Sequence, residues 1–195
     1  MHINVIGAGL AGCEAAMQIA SHGIEVHLYE MKPNKKTPAH HTDKYAELVC
    51  SNSLKAMRVE SAAGLLKEEM RRLDSFLMKC ADACKVPAGG ALAVDRDIFS
   101  SLATEGIKNN KLIKVCEEEV CEIPKDEITV VASGPLTSEP LAEYIRGMFG
   151  SSLSFFDAAA PIVTAESIDM EYAFCASRYD KGDGDDYINL SLIHI

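Results

Sequence analysis

Several things are missing from this 195-residue chain, and each absence narrows its class. No apolar run approaches the roughly 18 residues that span a bilayer, and glycines interrupt the N-terminal apolar segment where a targeting core would be unbroken. A soluble protein without a signal peptide is the expectation. The seven cysteines show no paired spacing and are odd in number. Disulfides persist mainly in oxidising compartments, so these read as reduced thiols of a cytoplasmic protein. Internal repeats and low-complexity segments are absent too. So is any excess of positive charge: at a formal −10 the chain is not a simple nucleic-acid-coating protein, because those bind by neutralising phosphates with Lys and Arg. The acidity is uneven, however. Residues 1–75 carry nine basic and nine acidic side chains, and residues 76–195 carry ten against twenty, leaving room for a basic face in the first part.

What is present is a 48% hydrophobic composition, enough for one sizeable core and too little for two comfortable domains. The chain opens with a β-rich run, "HINVI", that stops at Gly7. Residues 10–22 then read as a helix burying Leu10, Cys13, Ala16, Met17 and Ala20, and Gly23 ends it. Residues 25–30 alternate as a second strand, which completes a βαβ unit. Residues 31–45 turn to Pro, Lys, His and Thr, a loop long enough to be functional. Leu66, Met70, Leu73, Leu77, Cys80 and Cys84 then form one stripe, predicting a single long helix over 61–84 whose other face carries Lys67, Glu68, Arg71 and Arg72. Beyond it come a short strand at 91–94, a helix opening at Asp95, a pair of strands in "KLIKVCEEEVCEI" and a buried strand in "EITVVASGP" that ends in a glycine turn. A helix over about 138–148 and a strand-like "LSFFDAAAPIV" follow. The alternation implies an α/β fold.

Gly7-Ala8-Gly9-Leu10-Ala11-Gly12 is a G-x-G-x-x-G element between a strand and a helix, completed by Glu30 at the end of the second strand. The glycines permit a tight turn, close approach to a pyrophosphate and close helix packing, while the helix N-terminus attracts the phosphate charge. Glu30 suits a ribose diol and disfavours a 2′-phosphate, so FAD or NAD is expected over NADP. Gly134, in a second glycine turn after a strand, and Val120, at a strand position that commonly meets adenine, favour FAD.

Cys50 stands apart from the other thiols. It precedes Ser51-Asn52-Ser53, good capping residues, and a helix N-terminus would raise its thiolate fraction. Cys80 and Cys84 on the apolar stripe, Cys116 and Cys121 in predicted strands, and Cys13 and Cys175 are assigned to packing. His40 and His41, adjacent in an extended loop, point to opposite sides, which argues against a joint metal site; no metal is expected. Lys32, Lys35, Lys36 and Lys44 flank them, either as a solvated loop or as phosphate contacts.

The blocks "VIGAGLAGCEAA", "LYEMKPNKKTPAHHTDKYAELVCSNSL", "GLLKEEMRRL", "VPAGGALAVDRDIFS", "ASGPLTS" and "SIDMEYAFCASRYDKGDGDDYINL" together resemble the bacterial folate- and FAD-dependent tRNA (uracil-5-)-methyltransferase family. The resemblance implies an α/β, Rossmann-like FAD-binding domain of the glutathione-reductase type. It also implies methylation at C5 of a uridine in the T-arm of tRNA, with 5,10-methylenetetrahydrofolate as carbon donor, FAD as redox cofactor and NADH or NADPH as reductant. Cys50 matches the family's reactive cysteine, with two roles open: attack on uracil C6, or a part beside the flavin. Residues 1–190 then read as the N-terminal part of the FAD-binding domain and 191–195 as an unmatched tail. Two other readings stand beside this one, a small-molecule FAD- or NAD-dependent oxidoreductase and an inert fragment.

Overall fold

The computed structural model describes residues 2–150, 164–176 and 187–190. In chain order they form β1 (His2–Ile6), α1 (Leu10–Ser21), β2 (Glu25–Tyr29), β3 (Ser53–Ala56), α2 (Ala62–Arg72) and α3 (Phe76–Ala83). There follow β4 (Lys85–Val86), β5 (Ala91–Val94), α4 (Arg96–Asn109), β6 (Ile113–Cys116), β7 (Thr129–Val131), α5 (Glu139–Phe149), β8 (Ala173–Ala176) and β9 (Tyr187–Leu190). The expected α/β architecture is what is observed. A parallel sheet in the order β6-β2-β1-β7 forms the centre, β3-β5-β4 make an antiparallel sheet, and β8 pairs with β9.

Register fixes where a site can sit. Ile6 pairs with Tyr29 and Val131, and Tyr29 pairs with Cys116, so the central strands end level at one carboxyl edge. In open parallel sheets ligands bind at that edge. Small residues bring α1 close to the sheet: Gly12, Cys13, Ala16 and Ala20 are its buried positions. Leu10, expected inside, is 40% exposed, because it belongs to the first turn at the open end of the helix.

The long helix expected over 61–84 is two helices. Asp74 adopts a left-handed backbone (φ 61°), and a new N-terminus forms after it. Ser75 caps α3 by accepting from Met78 N, while the Glu14 carboxylate on α1 accepts from Ser75 Oγ (2.9 Å), Phe76 N (3.1 Å) and Leu77 N (2.9 Å). A carboxylate among free helix N–H groups favours this start over a continuous helix. The apolar stripe divides accordingly. Leu77, Cys80 and Cys84 are buried, whereas Leu66 and Leu73 are 57% and 75% exposed.

Lys67, expected on the outer face, is instead 6% exposed, its Nζ donating to the carbonyls of Leu54 and Ala63 at 2.7 Å each. Burial, followed by Arg71 and Lys55, holds its pKa below the usual lysine value. Lys67→Met keeps the stem and removes both donors to β3 and α2. It is expected to cost about 2 kcal/mol, read as a lower urea midpoint at unchanged slope; a parental midpoint would refute the structural role.

Three further strand expectations change. Only β6 forms in "KLIKVCEEEVCEI", and residues 117–124, Val120 and Cys121 among them, are irregular. That stretch is held from the side, with Asn34 donating to Glu117 O (2.7 Å) and Lys35 paired with Glu119 (2.7 Å), rather than by a ladder. β7 is shorter than 127–135 and half-exposed rather than buried, since among the described residues it pairs only with β1. Residues 153–163, expected to be strand-like, lie outside the described residues.

Candidate functional site

The glycine turn leaves the carboxyl end of β1. Gly7 has φ 97°, its N–H donates to Tyr29 O (2.8 Å), and a Cβ there would sit 2.9 Å from both Ala132 O and Ser133 Cα. A Cβ on Gly12 would collide with the Gly7 carbonyl. Close packing of strand, turn and helix therefore requires both glycines. Gly9 differs: it is exposed, nothing lies within 4 Å of where its Cβ would be, and as N-cap of α1 it has no side-chain acceptor. The positive end of the α1 dipole thus opens into a hollow that lacks a side chain, the arrangement that receives a phosphate.

A cleft runs from this turn, lined by Gly7, Gly9, Glu30, His40, Val120 and Ser133 among others. Ala8 is buried beneath it, and Leu10 and Ala11 stand exposed on the first turn of α1. Gly134 (φ 67°) turns the chain so that Leu136 and Thr137 face the cleft, and the Ser133 and Thr137 hydroxyls hydrogen-bond at 2.7 Å. Val120 reaches the cleft from a loop, not from the expected strand, and packs against the cluster of Ile6, Leu141 and Ile145.

Glu30 is tied into the glycine turn itself. Only 7% exposed, it accepts from Ala8 N (2.8 Å) through one oxygen and from Lys32 N (3.0 Å) through the other. Each carboxylate oxygen keeps a second lone pair for a diol. The following loop folds back over the turn, with Ala46 N donating to Ala8 O (2.8 Å) and Tyr45 N to Thr104 Oγ1 (2.8 Å). Lys32, 3% exposed, donates to the Lys44 carbonyl and faces Glu47 at 3.6 Å. Burial acts to raise the Glu47 pKa, but the His41 amide, the Lys32 ammonium and the Thr42 amide together hold it below the usual range. Lys35, Lys36 and Lys44 pair with Glu119, Asp43 and Asp97, so all four loop lysines face carboxylates of this chain.

The two histidines part company as their adjacency predicted. His40 lines the cleft and hydrogen-bonds Thr37 (2.7 Å); burial, then Lys32, lowers its pKa. His41 is exposed. Among the described residues, no group of three or more His, Cys, Asp or Glu is arranged to hold a metal ion.

Cys50 is exposed, and the chain beyond it enters β3, not a helix. The expected activation by a helix N-terminus is therefore corrected: Ser51 Oγ accepts from Ser53 N (3.0 Å) in a local turn, and Asn52 clasps Val94 through both backbone and side chain. Extended pairing with β5 takes the residues that would have capped a helix. Burial sorts the remaining thiols. Cys13 is pushed up to about 12 by burial and then Glu30, Cys80 to about 11 by burial and then Cys84, and Cys84 and Cys116 are raised chiefly by burial. Cys121 and Cys175 are exposed, against the expectation that they serve packing.

A family model described as glucose inhibited division protein A matches residues 2–194. The chain belongs to the glucose inhibited division protein A family. Among curated relatives, the protein named methylenetetrahydrofolate--tRNA-(uracil-5-)-methyltransferase TrmFO from Acetivibrio thermocellus is 64% identical over 98% of this chain and 44% of its own length. Its namesakes from Desulfitobacterium hafniense and Geobacter sulfurreducens are 63% and 58% identical over 97% of the chain. The chain thus spans less than half the length of the curated relatives it matches. A solved structure of Aquifex aeolicus GidA aligns with a TM-score of 0.60 at 16% identity, over 75% of this chain and 30% of that one, a likeness of fold.

Within this glucose inhibited division protein A fold, sequence reasoning missed Ser133, Thr137 and Ser138 as cleft residues. The signal was available in "ASGPLTS", a hydroxyl-rich turn after a strand, but only the glycine in it was singled out.

Proposed function

We propose that this chain is the dinucleotide-binding part of a FAD-using, folate-dependent tRNA (uracil-5-)-methyltransferase acting on the T-arm, in the cytoplasm. The observation that carries the dinucleotide site is the α1 N-terminus at Gly9, a turn with no side-chain cap and room around it, beside the buried carboxylate of Glu30. The names of relatives 58–64% identical to the chain support the reaction and the folate. The residues fit FAD: the backbone N–H groups of the turn from Gly7 to Gly12 would hold the pyrophosphate, Glu30 the ribose diol, and Val120 and the Gly134 turn would flank the cofactor. When bound, FAD supplies the electrons that reduce the methylene carbon of 5,10-methylenetetrahydrofolate to a methyl group, with NADH or NADPH replenishing them.

Uracil C5 is a weak nucleophile until a nucleophile adds at C6. A thiolate does this, giving C5 enolate character. Cys50 takes that role in this reading: it is exposed, and its segment is held at Ala46 by Ala8 and at Asn52 by Val94. The buried thiols of Cys13 and Cys80 are ill suited to it.

Two measurements test the reading. The purified chain is expected to carry or take up FAD with a visible flavin spectrum; a colourless protein that takes up no added FAD overturns the dinucleotide site. The full-length protein is expected to transfer label from methylenetetrahydrofolate to tRNA, and Cys50→Ala to reduce that rate more than about a thousandfold with flavin retained. Undiminished transfer would sink the role of Cys50, and a flavin-bound protein without transfer would favour a small-molecule oxidoreductase.

A further inference from the structure

The cleft beside the glycine turn is unbalanced in charge. Three carboxylates line it, Glu30, Glu118 and Glu119, and among the described residues on its walls His40 is the one side chain able to become positive. The lysines of the same loop do not stand in for it, because Lys32, Lys35, Lys36 and Lys44 already face Glu47, Glu119, Asp43 and Asp97. A dinucleotide brings a pyrophosphate with two negative charges, against which the α1 terminus sets only about half a positive one. His40 is placed to make up part of the difference. Its Nδ1 hydrogen-bonds the Thr37 hydroxyl (2.7 Å) and its backbone N–H donates to Thr37 O (3.1 Å), so one residue orients the ring through two bonds. A hydroxyl both donates and accepts, and so serves a neutral imidazole and an imidazolium alike. Nε2 is then the ring nitrogen without a partner among the described residues, on a side chain that lines the cleft.

We propose that His40 is the counter-charge of the dinucleotide: it takes a proton from solvent at Nε2 as the pyrophosphate enters the cleft, and donates that N–H to a phosphate oxygen. This rests on the dinucleotide site argued above and adds to it a coupling to protons that the glycine turn alone does not have. The surroundings set the sign. Burial and then Lys32 hold the His40 pKa below the ordinary 6.5, with His41 acting the same way and Glu47 and Glu30 opposing them. Of the other ionisable groups on the cleft walls, Glu119 is taken up by Lys35, Glu118 is exposed, and Tyr29 has its pKa raised above the usual 10, chiefly by burial. The imidazole is therefore neutral at pH 7. Phosphate charge within hydrogen-bond reach favours the imidazolium and raises the pKa in the complex. Binding then draws in a proton between the two pKa values, and affinity falls as pH rises through that window. A pyrophosphate diester keeps both charges throughout, so the pH dependence belongs to the protein.

The test is calorimetric titration of the flavin-free 195-residue chain with FAD, in buffers of different protonation enthalpy and over a series of pH values. The parent is expected to take up about half a proton or more near pH 7, and to bind FAD at least about tenfold more weakly at about pH 8.5 than at about pH 5.5. His40→Gln should bind without proton uptake and with a flat pH profile, whereas His41→Gln, its exposed neighbour, should keep both the uptake and the slope. Thr37→Val leaves the imidazole in place but withdraws the acceptor for its Nδ1–H, and should reduce the uptake. A His40→Gln profile as steep as the parent's, or a parent that binds FAD without taking up a proton, overturns the inference and leaves the dinucleotide site standing. A parent that takes up no FAD overturns the site and the inference together. A general loss of stability weakens binding at every pH and does not imitate a lost slope.

Discussion

Gly12→Ala is expected to yield a protein that takes up no FAD and melts well below the parent, whereas Gly9→Ala should melt like the parent and still bind FAD at least about tenfold more weakly. At position 12 the added methyl meets the Gly7 carbonyl, which is backbone and cannot swing aside. Relief requires α1 to withdraw from β1, and α1 is seated through Cys13, Ala16 and Ala20 in the main core. Overpacking of this kind costs about 1–3 kcal/mol, and a backbone obstacle puts it at the upper end. At position 9 the backbone is extended (φ −73°, ψ −169°), which alanine adopts freely, and there is space for the methyl. That space is the cradle itself, so only the ligand is displaced. Thermal melts and flavin titrations of the two variants check the split, and Gly9→Ala with parental affinity would remove the pyrophosphate from the α1 terminus.

Glu47→Gln is the second large effect. The amide still offers an oxygen to the His41 and Thr42 N–H groups but withdraws the charge facing Lys32, an ammonium 3% exposed. Breaking a buried pair from one side costs about 3 kcal/mol or more, because the remaining charge stays desolvated. Adding Lys32→Met should recover much of the loss, and a double-mutant cycle in urea measures the coupling. The pH dependence follows in sign. The Glu47 pKa is lower in the fold than the ordinary 4.5, so its contribution is fully present above about 4.5 and is lost as pH falls through the folded value. The parent should therefore lose stability on acidification below that point, and Glu47→Gln should lose less over the same interval. Equal slopes would mean that Glu47 does not titrate as the geometry requires.

The βαβ unit was legible in the sequence because its determinants are local: glycines at fixed spacing, a helix of small residues and an acid at the end of the next strand. Family resemblance rested on the same contiguous blocks. The break at Asp74 was hidden because the residue that decides it, Glu14, lies about sixty positions away. Lys67 looked like a surface residue because periodicity counts apolar positions and cannot register two backbone carbonyls waiting for an ammonium. Cys50 is exposed, as are Cys121 and Cys175, and the mechanism offered for its reactivity was wrong, since pairing between β3 and β5 is a long-range fact and N-capping a short-range preference. Val120 reached the cleft by a route the pattern did not contain, for acids in succession read as strand only when nothing at the side competes for them.

Ala8 has both of its backbone polar groups engaged, the N–H by Glu30 and the carbonyl by Ala46. Its two neighbouring peptide planes are thereby clamped from opposite sides before any ligand arrives. The conformational entropy of the turn is lost during folding, not during association, so binding draws little on ordering. Calorimetry should then find a ligand that docks on a rigid frame, and loosening the clamp at Ala46 should weaken affinity through entropy while the contact of Glu30 with the ribose survives.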